Sequence, residues 1–111
     1  MSASGITRLD FGGEKRDFVI RLQELRRIQE VTGRGPQRVL NDLRSGDWLI
    51  DDIREVIRLG LEAGGCEPKE ASALITRYLD ERKVWLSEGR TLAITILIDG
   101  LEAPLDDAPG K

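Results

Sequence analysis

The sequence predicts an α+β domain: a two-stranded N-terminal β-hairpin packed on a single, mostly α-helical core of about four to five helices. Three observations carry that prediction. Two short runs with alternating apolar positions flank Gly12-Gly13 near the start of the chain. Several later segments repeat their apolar residues at helical spacing. One of them, Ile53 to Gly65, places Ile53, Val56, Ile57, Gly60 and Leu61 on one broad face and then meets a glycine pair. That segment reads as the central helix, with the other elements as its packing partners.

The hairpin comes first. Thr7, Leu9 and Phe11 alternate with Arg8 and Asp10, and after the glycines Phe18 and Ile20 share a face. A lone hairpin is marginal in water, so its apolar face must lie on something. A helix over Leu22–Thr32 follows at once, with Leu22, Leu25 and Ile28 on one face and Gly33 as its stop. No Ser, Thr, Asp or Asn precedes it, so its N-terminal cap is unexplained. Gly35-Pro36 breaks and restarts the chain, and Val39, Leu40 and Leu43 mark a short second helix ending near Ser45-Gly46.

The start of the central helix has two readings. Asp47 could cap a helix beginning at Trp48, or Asp52 could cap it with Glu55 completing a capping box. Pro68 opens a further helix carrying Ala71, Leu74, Ile75, Tyr78 and Leu79, with Arg82-Lys83 at its C-terminal end. Ser87 is a candidate N-cap for the last element. There Ile94, Ile96 and Ile98 alternate as in a strand, while Leu86, Ala93, Ile94, Leu97 and Leu101 fit a helix with Asp99-Gly100 as its stop.

Residues 1–5 and 102–111 read as loose ends, the latter an acidic tail with two prolines. Residues 6–101 form the domain.

Composition narrows the function classes. With 111 residues, 40% hydrophobic and 33% charged, the chain is a one-domain globular protein. Aromatics are only 5%, so Leu, Ile and Val fill the core. A net charge of −3 disfavours a general nucleic-acid binder. There is no histidine, the commonest general base and a common metal ligand. The single cysteine, Cys66, excludes an intramolecular disulfide and suits a reducing cytosol. The first residues lack a signal-peptide pattern, and no run approaches the roughly 18 apolar residues of a membrane span. A cytoplasmic protein without cofactor, metal or catalytic residues is expected.

Several features invite sharper readings. Asp47, Asp51 and Glu55 resemble a cation-ligand series, but helix-start charge paired with Arg54 and Arg58 explains them better. Gly60 and Gly64 have the spacing of a membrane dimer motif, yet charges flank them and close packing fits better. Lys15 to Arg44 is rich in basic residues without interleaved aromatics, which reads as a solvated face. Trp48 and Trp85 stand near element boundaries, where tryptophan either plugs a core edge or anchors a partner. Leu105, in the acidic tail, is either a free apolar handle or without a role.

The order of features resembles a gene transfer agent protein family that belongs with phage tail assembly chaperones. The resemblance runs from about Thr7 to Leu101. It rests on the hairpin LDFGGEKRDFVIRL, the helix LQELRRIQEVTG with its closing Gly33, the aliphatics Val39-Leu40 and Leu43, and the segment DDIREVIRLGLEAGG. Glu70-Ala71 and the closing LAITILIDGL complete it. Gly33, Gly60, Leu61, Gly64 and Gly65 are then the structural signature, and the last segment is a helix. The resemblance implies a protein of the bacterial host cytoplasm, from a virus, prophage or gene transfer agent. Such a protein would bind and solubilise a tape-measure protein during tail assembly. The alternatives are a structural tail component retained in the particle and a general protein-interaction domain. The expected partner surface includes Trp48, Trp85 and Leu105.

Overall fold

The computed structural model describes residues 6–83 and 85–102. Strands β1 (Ile6–Phe11) and β2 (Glu14–Val19) pair antiparallel, with Ile6 opposite Val19 and Phe11 opposite Glu14. Gly12 and Gly13 form the two-residue turn. Both hold positive φ, +69° and +86°, as a hairpin turn matching the strand twist demands.

Five helices follow: α1 (Leu22–Thr32), α2 (Pro36–Ser45), α3 (Ile50–Ala63), α4 (Pro68–Ile75) and α5 (Leu86–Glu102). Helix α4 continues into a π-helical turn, Thr76–Asp80, capped by Glu81 and followed by Arg82 with φ of 60°. The hairpin-on-helices architecture is the α+β fold expected from the sequence.

Helix α3 is the hub, packing against β2, α1, α4 and α5. Its Ile53, Val56, Ile57 and Leu61 are buried with Phe18, Ile28, Leu43, Ile75, Ile96 and Leu97. Each such side chain contributes about 1.5–3 kcal/mol relative to exposure. Glycine sets how closely the layers approach. A Cβ on Gly60 would lie 3.3 Å from both Phe18 and Ile96. One on Gly64 would lie 2.1 Å from the Asp17 carbonyl oxygen. The Gly60–Gly64 face of α3 is therefore the seat of β2, and membrane pairing is not needed to explain its spacing.

Gly64 itself is right-handed, and Gly65 makes the left-handed turn at φ +114°. Gly33 stops α1 in the left-handed conformation, its N–H donating to the Gln29 carbonyl at 2.9 Å.

Four local expectations need correction. Helix α1 has a cap after all: the Arg21 N–H donates to Glu24 Oε1 at 2.8 Å. Helix α3 begins at Ile50, so neither Asp47 nor Asp52 is its N-cap. Asp52 sits inside the first turn and accepts the Leu49 N–H at 2.8 Å. Ser87 is likewise inside α5, whose first-turn amides of Glu88 and Gly89 donate to the Trp85 carbonyl. Finally, Asp99-Gly100 does not stop α5. Gly100 stays in the helix, and Ile20 crosses it so closely that a Cβ there would lie 2.5 Å away.

The β-branched closing segment is helical because α3, α2 and the hairpin pack on it and bury Ala93, Ile96 and Leu97. Packing on these three neighbours overrides local strand propensity.

Candidate interaction surface

Two contacts fix how α3 and α5 lie together. Gly89 packs beside Ile53, and Gly60 beside Ile96. The helices therefore run parallel, and their N-termini share one end of the domain. Leu49 and Ile50 precede Ile53 by one turn, as Trp85 precedes Gly89. All three are exposed, at 59%, 56% and 72%. Trp85 is thus a surface residue, whereas Trp48 packs partly buried against the core. The two tryptophans play different parts, and Leu105 lies outside the described residues.

Leu49 and Ile50 escaped the sequence reading because Asp47, Asp51 and Asp52 surround them and resemble an ordinary helix start. Their exposure follows from the late start of α3, which leaves Leu49 ahead of the helix.

Polar contacts hold this end rigid. Arg34 reaches from the α1–α2 loop to Asp42 at 2.5 Å and also binds Asp52, which is 1% exposed. Burial lowers the Arg34 pKa, but the hydrogen bonds and charges of Asp52 and Asp42 outweigh it and leave it raised. Arg90 of α5 donates to the Leu43 and Arg44 carbonyls at 2.6 and 3.1 Å, closing the C-terminal end of α2. Arg54 grips Asp80 through two hydrogen bonds of 2.9 and 3.0 Å, tying α3 to the π-helical turn. At the opposite end, Thr7 donates to Asp99 Oδ2 at 2.6 Å and joins β1 to α5.

The other sequence features have structural explanations. Asp51 pairs with Arg54, Glu55 with Arg58, and Asp47 accepts from Ser45. Among the described residues no group of His, Cys, Asp and Glu side chains is arranged to hold a metal ion. The basic stretch is divided up: Lys15 pairs with Asp10, Arg16 with Glu14 and Glu70, Arg27 with Glu30, and Arg38 with Asp42. Cys66 is half-buried, and burial pushes its thiol pKa up, with Glu70 adding to the shift. That disfavours the thiolate a nucleophile needs. Among the described residues no helix is long and apolar enough to cross a membrane.

The fold and surface define a small α+β domain with a rigid core and an apolar end facing solvent. A family model described as phage tail tube protein, GTA-gp10, matches residues 4–102. The chain therefore belongs to this gene transfer agent and phage tail family. No curated protein and no solved structure matches it.

Proposed function

We propose that the protein is a structural component of a phage-like tail that acts through protein–protein contacts and catalyses no reaction. The family match over residues 4–102 carries this reading. Leu49, Ile50 and Trp85, all exposed where α3 and α5 begin, support it, because large exposed apolar side chains, tryptophan above all, are the usual chemistry of a contact hot spot. Trp85 is then the principal anchor. Trp48 would support it from the core edge, and Leu105 would add an apolar contact from the tail.

A second reading has the same surface in its favour. As a tail assembly chaperone in the host cytoplasm, the protein would cover apolar helical stretches of a tape-measure protein and leave before the particle is complete. An apolar end of this kind would receive such a helix at anchors spaced i, i+3, i+4 and i+7.

Quantitative mass spectrometry of purified particles separates the two. Presence in fixed proportion to the other tail proteins supports the structural component. Absence from particles, together with a soluble complex on co-expression with the tape-measure protein, supports the chaperone. Absence from particles and failure to bind any tail protein would overturn both.

A further inference from the structure

The C-terminal end of α4 carries cations that the fold leaves unpaired. Arg77 lies in the π-helical turn, and Lys83 follows the left-handed Arg82. Both line an open hollow of about 560 Å³ with Ser72, Ala73, Thr76 and Glu81, all of them exposed. Neither cation makes an ion pair among the described residues, although Glu81 shares the hollow. Positive charge suits a helix C-terminus, but the dipole does not require two cations to converge on one concave surface.

The hydroxyls of the hollow are unengaged as well. Thr32, Thr91 and Thr95 donate to carbonyls one turn back in their own helices, at 2.7, 3.0 and 3.0 Å. Ser72 and Thr76, one turn apart, make no such bond and none to any other described residue. Two hydroxyl donors therefore line the hollow with the two cations. Arg77 is held in place: its guanidinium lies 5.7 Å from the Tyr78 ring centroid, and Tyr78 packs edge-on to Phe11 at 5.8 Å. A cation positioned in this way loses less freedom on binding. On the α3 side of Ser72 and Thr76 the charges are already paired, Arg54 with Asp80 and Arg58 with Glu55 and Glu62.

We infer that this hollow binds a carboxylate side chain, an Asp or Glu of the tail protein that docks at Trp85; the inference rests on the interaction surface proposed above. Arginine, ammonium and hydroxyl donors without a competing basic acceptor other than Glu81 suit an oxyanion. Two cations and one carboxylate leave a single positive charge, which matches a monoanion. A phosphate dianion would meet twice the repulsion from Glu81. The position fits the same partner. Lys83 precedes Trp85 by two residues, and the Arg54–Asp80 pair ties the turn to α3 one helical turn beyond Ile50. A partner segment with an acid close to its apolar anchors would reach both places.

NMR titration of the isotope-labelled full chain with sodium propionate, which reproduces the end of a glutamate side chain, tests the hollow without a partner. Sodium chloride at matched ionic strength is the reference. Saturable shifts centred on residues 72–83 are expected. Glu81→Gln removes the repelling charge and should strengthen binding about threefold, whereas Lys83→Glu should weaken it about tenfold. Lys69→Glu, an exposed site on α4 outside the hollow, should change nothing. Shifts that do not saturate, equal shifts with chloride, tighter binding of sodium phosphate, or a Glu81→Gln variant that binds no better would each overturn the inference.

A pull-down with the tail protein supplies the other arm. Lys83→Glu should weaken capture about tenfold with the melting temperature unchanged, and Lys69→Glu should not. Capture that needs Trp85 but ignores Lys83→Glu overturns this inference and leaves the proposed function standing. Failure to capture any tail protein, with the propionate site intact, instead overturns the proposed function and keeps the hollow as a carboxylate site.

Discussion

The seam where β2 crosses α3 and the end where α3 and α5 begin use apolar residues in opposite ways. At the seam, Gly60 and Gly64 remove side chains so that Phe18 and the Asp17 backbone can come into contact with the helix. At the shared N-terminal end, Leu49, Ile50 and Trp85 keep large side chains in solvent while Arg34, Arg54 and Arg90 fix the backbone beneath them. Tight packing marks what the fold requires. Exposed bulk on a rigid base marks what the fold can do without, and so points to function.

This contrast can be broken from either side. The largest effect is expected at the seam. Gly64→Ala drives a Cβ into the Asp17 carbonyl and should cost about 3 kcal/mol in denaturant unfolding. Gly35→Ala, with nothing within 4 Å, should stay within about 0.5 kcal/mol. Equal losses at the two sites would remove the close-approach argument.

Asp52→Ala comes next. It leaves the Leu49 N–H and one arm of Arg34 without their acceptor, and should cost about 2 kcal/mol by the same measurement. Retention of full stability would mean that the apolar end is not held as described.

Trp85→Ala should change stability by less than about 0.5 kcal/mol, since the side chain is 72% exposed. In a pull-down with its tail partner the same substitution should cost about 2 kcal/mol or more of binding. A stability loss without a binding loss would make Trp85 a core residue.

The smallest effect concerns Cys66. Its pKa is raised in the folded chain, so the native state holds its proton more tightly than the unfolded state does. The stabilisation is fully present below the ordinary thiol pKa and is lost as pH rises through the raised value. Unfolding titrations should show a slight alkaline decline that Cys66→Ser abolishes. An identical decline in the variant would assign it to other groups.

Much of the fold was legible because local chemistry and tertiary need agree. Gly12-Gly13 between alternating runs is a hairpin turn in both sequence and structure. Gly33 closes a helix in both. The α5 segment was not legible from propensity, since its isoleucines favour a strand until α3, α2 and the hairpin pack on them and bury Ile96. The family pattern supplied the helix.

The starts of α1 and α3 were misread for one reason. Asp52 and Glu24 act from inside the first turn, reaching back to Leu49 and Arg21, and composition does not distinguish that from an N-cap. The surface was half legible. Tryptophan type drew attention to Trp48 and Trp85, but only the parallel packing of α3 and α5 separates a core-edge residue from an exposed one. The same packing brings Leu49 and Ile50 into view beside Trp85.

The most direct test counts tailed particles by electron microscopy in a strain deleted for this gene and complemented in turn with the unaltered chain and with Trp85→Ala. The account predicts tailless or abnormal particles in the deletion, full recovery with the unaltered chain, and failure with a folded Trp85→Ala protein. Normal tails in the deletion strain would contradict it.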